Sequence, residues 1–179
     1  MAEHFPLIDD YQHILRLQLP LMDVRAPVEF AKGGFNHSYN LPLMNDAERA
    51  AVGTCYKQHG QQSAIALGHQ LVSGALKQQR IGAWLDFVQK HPDGALYCAR
   101  GGLRSQIVQQ WLAERGVVYP RVKGGFKALR HAALRVIEQA ASQPLLLLAG
   151  PAGSGKTRLL QQLRMLDLEG LANHRGSAF

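Results

Sequence analysis

The chain has 179 residues, of which 46% are hydrophobic, so it can form one domain of ordinary size with a further segment. Its two cysteines exclude a framework of several disulfides, and we see neither a signal-peptide pattern nor an apolar run near the roughly 20 residues of a membrane span. The formal net charge of +7 suggests a polyanionic partner. We therefore expect a cytoplasmic protein with no membrane role.

The first half of the chain contains two predicted strands and two helical stretches. Residues 13–25 predict a strand that ends at Met22–Arg25, and residues 38–43 predict a second one. Asn45 and Glu48 form a capping-box pattern that starts a helix. Residues 63–87 predict a long helical stretch with a break near Gly74 or Gly82. These elements begin an α/β pattern.

The second half continues the alternation of strands and helices. Residues 95–98 predict a strand, and the helix after it has Ser105 near its N-cap and ends at Gly116. Residues 117–122 predict another strand and residues 126–141 another helix. The alternation predicts an α/β fold with a mostly parallel sheet covered by helices on both faces. In such a sheet the active site lies at the carboxyl ends of strands, which is where Cys98 falls.

Cys98 opens a short glycine-containing loop that precedes a helix. The candidate loop residues after it are Ala99, Arg100, Gly101, Gly102, Leu103 and Arg104. Backbone N–H groups, the positive end of the helix dipole and the two arginines would favour a thiolate and could hold an anion beside the sulfur. The alternative is that Cys98 is a small buried apolar side chain at a strand end.

Two segments near the N-terminus resemble the first signature of rhodanese domains. They are Leu21-Met22-Asp23-Val24-Arg25-Ala26-Pro27-Val28-Glu29-Phe30 and Gly34-Phe35-Asn36-His37-Ser38-Tyr39-Asn40-Leu41-Pro42-Leu43. The resemblance implies that Cys98 carries sulfur or selenium as a persulfide or its selenium analogue, and that the loop amides stabilise the anion. It also implies that Asp23 and Arg25 brace the active loop.

A second motif follows an apolar run at residues 145–149. It has the form G-x-x-x-x-G-K-T, and its phosphate-binding candidates are Gly150, Gly153, Ser154, Gly155, Lys156 and Thr157. Glycines let N–H groups approach a polyphosphate, Lys156 would neutralise its terminal phosphates and Thr157 could ligate Mg²⁺. The alternative is a glycine-rich turn that arose by chance.

A rhodanese domain followed by a phosphate loop resembles the tRNA 2-selenouridine synthase family. Further segments that are similar to it are 41–49, 64–68, 97–105, 124–127 and 166–177. The resemblance implies replacement of the sulfur of wobble 2-thiouridine by selenium from selenophosphate, through an intermediate S-geranylated with geranyl diphosphate. It implies tRNA and a selenophosphate-supplying enzyme as partners, with no tightly bound cofactor and no protein metal site.

Three positions depart from the family pattern, with Ala99 where tryptophan is expected and Phe126 and Leu129 where tyrosines are usual. Nine residues separate Thr157 from Asp167, which is short for a helix, a turn and a strand, and the sequence stops at Phe179. We therefore predict a rhodanese-like domain over residues 1–140 and an incomplete phosphate-loop segment over residues 141–179. On this basis we expect a partial copy of the synthase.

Three alternatives remain open at the level of sequence. A stand-alone rhodanese sulfurtransferase would need only Cys98 and its loop. Cys98 and Arg104 also have the C-x5-R spacing of cysteine phosphatases. Between residues 99 and 130, seven basic residues stand against one acidic residue, which is compatible with a tRNA-binding remnant or with an ordinary solvated surface.

Overall fold

The computed structural model describes residues 5–144, 148, 150, 151 and 153–162. The chain divides into two compact units, Met1–Gln139 and Ala140–Phe179. The elements are β1 (Leu7–Ile8), α1 (Tyr11–Arg16), β2 (Leu21–Asp23), α2 (Pro27–Ala31), β3 (Ser38–Asn40), α3 (Asp46–Leu71), α4 (Gly74–Lys90), β4 (Ala95–Tyr97), α5 (Leu103–Ala113), β5 (Arg121–Val122), α6 (Gly125–Ala141) and α7 (Lys156–Gln162).

The first unit is built on a five-stranded sheet in the order β1-β5-β4-β2-β3, with every pair parallel. The side chains of β4 alternate between two cores. Leu96 packs with residues of α4 and α5 on one face, whereas Ala95 and Tyr97 pack with residues of α1 and α6 on the other. The predicted α/β class, parallel sheet and two-sided helical cover are thus confirmed.

Several predicted elements agree closely with the structure. The Asn45 side chain accepts the Glu48 N–H while Glu48 accepts the Asn45 N–H, so the capping box at the start of α3 is confirmed. Gly60, with φ of +80°, kinks α3. The predicted break near Gly74 is also confirmed, because α4 begins at Gly74 with φ of +54°.

Three predicted elements need correction. Most of the strand predicted over residues 13–25 is wrong, because Asp10 accepts the His13 N–H and starts α1, which buries Ile14. The strand predicted over 117–122 shortens to β5, and Val118 is exposed ahead of it. The helix predicted to begin near Ser105 begins slightly earlier: Gly102 is its N-cap, and Ser105 is the third residue of α5. The apolar strand predicted over 145–149 lies mostly outside the described residues.

Candidate active site

Cys98 follows directly after β4, at the carboxyl edge of the sheet and beside its central strands. Its side chain is only 3% exposed. The sulfur lies 3.3 Å from Ser105 Oγ and 3.9 Å from the Gly102 carbonyl oxygen. The strand thus delivers the thiol to the loop that the sequence singled out, and the first turn of α5 closes over it.

Ser105 links the sulfur to the backbone of the loop. It is completely buried, and its hydroxyl donates to the Gly102 carbonyl at 2.9 Å. A hydroxyl can rotate between acceptors, so the same group can donate to a thiolate or accept from a neutral thiol. The sequence placed Ser105 near the N-cap of the helix, seven residues after Cys98, but did not predict this contact with the sulfur.

The carbonyl side of the loop is held by the start of α6. Phe126 N–H donates to the Cys98 carbonyl at 2.9 Å, and Lys127 N–H donates to the Ala99 carbonyl at 3.1 Å. The N–H groups of residues 99–102, by contrast, donate to no acceptor within the part of the chain that the structure describes. Backbone N–H groups without a partner, in a loop that starts at a thiol, are available to bind an anion.

Two glycines make the anchoring of the loop possible. Gly125 has φ of +59°, and a Cβ built on it would lie 2.2 Å from the Cys98 carbonyl oxygen. Gly101 has φ of +64°, and a Cβ there would lie 2.7 Å from the Gly124 nitrogen. Because the two backbone segments touch, only glycine fits on either side of the contact.

Arg104 forms an ion pair with Glu29 of α2. Its Nη1 and Nη2 lie 2.5 and 3.1 Å from the two carboxylate oxygens. Burial alone would lower the pKa of Arg104 and raise that of Glu29, but their hydrogen bonds and mutual attraction reverse both effects. The pKa of Arg104 is therefore raised and that of Glu29 lowered. The charge of Cys98 also contributes to the raised pKa of Arg104.

Arg121 of β5 is a loop contact that sequence analysis counted only as a basic residue. Its Nη1 donates to the Gly101 carbonyl. Burial lowers its pKa, while the charge of Cys98 acts in the opposite direction. The only sequence signal for this role was the position of Arg121 on a strand that ends beside β4. Arg100, which the sequence placed beside the thiol, is exposed.

Asp23 and Arg25 form a buried ion pair at the end of β2. Arg25 Nη2 lies 2.6 Å from Asp23 Oδ2, and Arg25 also donates to the Gly33 carbonyl. The guanidinium carbon lies 3.9 Å from the centre of the Phe126 ring. Since Phe126 N–H bonds to the Cys98 carbonyl, the pair reaches the active loop through one intervening residue.

The phosphate-loop residues lie in the second unit and form a compact turn before α7. Lys156 Nζ donates to the carbonyls of Gly150 and Pro151, both at 2.8 Å, and lies 3.4 Å from Ser154 Oγ. Gly153 and Gly155 have φ of +78° and +80°, which glycine adopts without strain. Thr157 is exposed on the first turn of α7. The loop therefore curls around the ammonium group of Lys156.

Comparison with known proteins assigns both parts of the chain. Residues 143–179 match the model of the tRNA 2-selenouridine synthase AAA domain. A tRNA 2-selenouridine synthase of Pseudomonas fluorescens strain Pf-5 is 63% identical over 172 residues, which are 95% of this chain and 47% of that relative. The chain belongs to the tRNA 2-selenouridine synthase family. Its Serratia proteamaculans relative is 60% identical over 95% of this chain and 46% of its own length.

The chain thus spans about half the length of the curated synthases that it matches. A solved structure is also similar: the N-terminal domain of a putative ATP/GTP binding protein from Clostridium difficile 630. It has 32% sequence identity and a TM-score of 0.64, and the match covers 72% of this chain and 98% of that domain. Among the helices that the structure describes, none is long and apolar enough to cross a membrane.

Proposed function

We propose that this chain contains the chalcogen-transfer site of a tRNA 2-selenouridine synthase. The observation that carries the proposal is the position of Cys98 at the end of β4, where the loop N–H groups of residues 99–102 have no acceptor in the described structure. Loop amides without a partner could stabilise a terminal sulfur or selenium anion carried by Cys98. In this proposal the Cys98 thiolate attacks the selenium of selenophosphate, forming an S–Se bond as the Se–P bond breaks and phosphite leaves with the electron pair. The terminal selenium then attacks C2 of the S-geranylated wobble base and displaces geranyl thiolate. The released thiolate attacks the Cys98 sulfur, so that the S–Se bond breaks and 2-selenouridine remains on the RNA.

The loop residues have distinct roles in the proposal. Ala99, Arg100, Gly101 and Gly102 supply N–H groups, and Leu103 begins the helix whose positive end faces the loop. Arg104 adds positive charge while Glu29 fixes its position. Asp23 and Arg25 support the loop through Phe126, which donates to the Cys98 carbonyl.

The phosphate loop suits a diphosphate-bearing substrate. We assign geranyl diphosphate to it: Lys156 would bind the terminal phosphate, and the N–H groups near Gly153 and Gly155 would approach the other oxygens. Thr157 offers one exposed hydroxyl, which fits a Mg²⁺ ligand only together with oxygens of the diphosphate. Mg²⁺, when bound there, would neutralise the charge of the diphosphate.

The basic residues that accompany the active loop suit tRNA as a partner. Arg100, Lys127 and Arg130 are exposed, and Lys127 is bonded through its N–H to the loop itself. Phosphate contacts from such residues give affinity that falls steeply with salt. A selenophosphate-supplying enzyme would deliver the selenium donor, and we place the reaction in the cytoplasm because both Cys55 and Cys98 are free thiols.

Selenium exchange on a supplied substrate tests the proposal. An anticodon stem-loop RNA with S-geranyl-2-thiouridine at the wobble position would be incubated with selenophosphate and the 179-residue chain, and nucleosides would be measured by mass spectrometry. We expect 2-selenouridine with the wild type and with the control Cys55→Ser, and none with Cys98→Ser. Equal product with Cys98→Ser, or no product with the wild type, would contradict the proposal.

A sulfurtransferase without tRNA is the second candidate, because the described contacts of Cys98 and its loop involve no residue of the phosphate loop. The thiolate would attack the sulfane sulfur of thiosulfate, forming an S–S bond as sulfite leaves with the electron pair, and cyanide would then remove the sulfur as thiocyanate. Thiocyanate production together with absent selenium exchange would favour this candidate. The phosphatase alternative is disfavoured by the pairing of Arg104 with Glu29, since a phosphatase needs that guanidinium for phosphate.

A further inference from the structure

An open apolar groove lies in the first unit between α3 and the first turns of α5. Its volume is about 270 Å³, close to the lower end of the roughly 300–1,000 Å³ of small-ligand sites. Apolar side chains from both helices form most of its wall, among them Val52, Ile65, Ile107 and Trp111. The groove is therefore large enough for a flexible hydrocarbon chain.

Small residues keep the groove open, and large apolar residues remain exposed at it. Ala64 and Gly68 of α3 line the groove, and a Cβ built on Gly68 would make only an ordinary contact at 3.8 Å with Val52. Tyr56 is 57% exposed and Leu103 is 41% exposed, although both are large and apolar. Apolar surface that the fold leaves uncovered in a concave site is suited to an apolar ligand.

The groove also adjoins the sulfur site. Leu103 and Arg104 line it, and they are the first two residues of the helix that follows the Cys98 loop. Ser105, the residue after Arg104, lies 3.3 Å from the sulfur. A molecule that reacts at the Cys98 loop can therefore extend an apolar substituent along α5 into the groove.

We propose that this groove binds the geranyl chain of the S-geranylated wobble base during selenium exchange. The inference rests on the proposed function, in which the thioether sulfur is the atom that selenium replaces. That sulfur must lie beside Cys98, which carries the selenium. The geranyl group attached to the sulfur must therefore lie close to Cys98 as well. The groove offers apolar surface at this place. In this proposal the groove binds the geranyl chain of the modified base, whereas the phosphate loop binds the diphosphate of the geranyl donor.

Binding of two nucleosides tests the groove without RNA or chemistry. S-geranyl-2-thiouridine and S-methyl-2-thiouridine would be titrated into the 179-residue chain, with calorimetry and the fluorescence of its two tryptophans, of which Trp111 lines the groove, as readouts. We expect the geranyl nucleoside to bind at least about 10-fold more tightly, because each buried methylene adds to the affinity.

Two leucine substitutions at helical glycines, one in the groove and one outside it, test the location of the binding site. Gly68→Leu fills the groove with little strain, whereas Gly82→Leu places the same side chain in open space on α4. We expect Gly68→Leu to lose the preference for the geranyl nucleoside and Gly82→Leu to keep it, with both variants folded by circular dichroism.

Equal affinity of the wild type for both nucleosides would overturn the inference. A second copy of the chain that covers the groove would overturn it as well. A preference that survives in a folded Gly68→Leu variant would overturn the location. Selenium exchange without any geranyl preference would overturn the groove alone. Geranyl preference without selenium exchange would retain the groove and overturn the proposed function.

Discussion

The Cys98 sulfur lies 3.3 Å from the hydroxyl oxygen of Ser105, and both side chains are buried. Because the Ser105 hydroxyl also bonds to the Gly102 carbonyl, it couples the state of the sulfur to the geometry of the loop. A buried anion needs such a donor, since unsatisfied buried charge is costly.

Removing the Ser105 hydroxyl should slow the reaction of Cys98 with iodoacetamide at neutral pH. For Ser105→Ala we expect a decrease of about 5- to 10-fold, which corresponds to the loss of one hydrogen bond to the sulfur. Mass spectrometry would measure alkylation of Cys98, with Cys55 as the internal reference. Ser73→Ala, which removes an exposed hydroxyl bonded to the Gln70 carbonyl, is the control. Unchanged reactivity in Ser105→Ala would show that the contact has no effect on the thiolate.

Substitution of Gly125 should destabilise the fold more than substitution of Gly116. Both glycines have positive φ, so alanine strains the backbone by about 1–2 kcal/mol at either position. The added Cβ at Gly125 also collides with the Cys98 carbonyl, whereas no atom lies within 4 Å of a Cβ at Gly116. We expect Gly125→Ala to lower the free energy of unfolding by a further ~1–3 kcal/mol. Urea unfolding would measure it, and equal losses would mean that the loop moves freely.

Asp23→Asn should strongly lower the free energy of unfolding. The substitution leaves the buried Arg25 guanidinium without its counter-charge, which costs about 3–5 kcal/mol. Asp9→Asn is the matched control, because the Asp9–Lys123 pair is largely exposed and solvent screens it. We expect almost no change in the control. Similar urea midpoints for the two variants would contradict the structural importance of the buried pair.

The Glu29–Arg104 pair should make stability depend on acid pH. The pKa of Glu29 is lowered in the folded state, so its contribution to stability is complete above the unfolded-state pKa and is lost as the pH falls through the folded-state pKa. We expect the difference in unfolding free energy between the wild type and Glu29→Gln to be about 1.5–3 kcal/mol near pH 7 and to shrink below about pH 4. Urea titrations at several pH values would measure it. A constant difference down to pH 3 would contradict the assigned direction.

Local patterns predicted much of the first unit. The capping box at Asn45 and Glu48 involves residues three apart, and Cys98 directly follows three consecutive buried residues of β4. Such features depend on neighbours in sequence. The segment that follows Asp10 was predicted wrongly, because its apolar residues fit a strand whereas the Asp10 side-chain cap favours α1.

Fewer of the sequence predictions can be compared with the structure in the second unit. The glycine conformations and the Lys156 contacts of the phosphate loop are described, but most of the apolar run before it lies outside the described residues. The assignment of residues 1–140 as a rhodanese-like domain and of residues 141–179 as an incomplete phosphate-loop segment remains a prediction, and so do the roles of the site residues.

The sequence by itself determined the α/β alternation, the thiol at the end of β4 and the glycine-rich loops, because each follows from residues that are close together in the chain. Only the tertiary structure decided which groups surround the sulfur. Arg104 meets Glu29 across 75 positions, and the Cys98 loop meets the start of α6 through Phe126. These contacts depend on how the sheet brings distant segments to one edge, and no local pattern of charge or hydrophobicity specifies that arrangement.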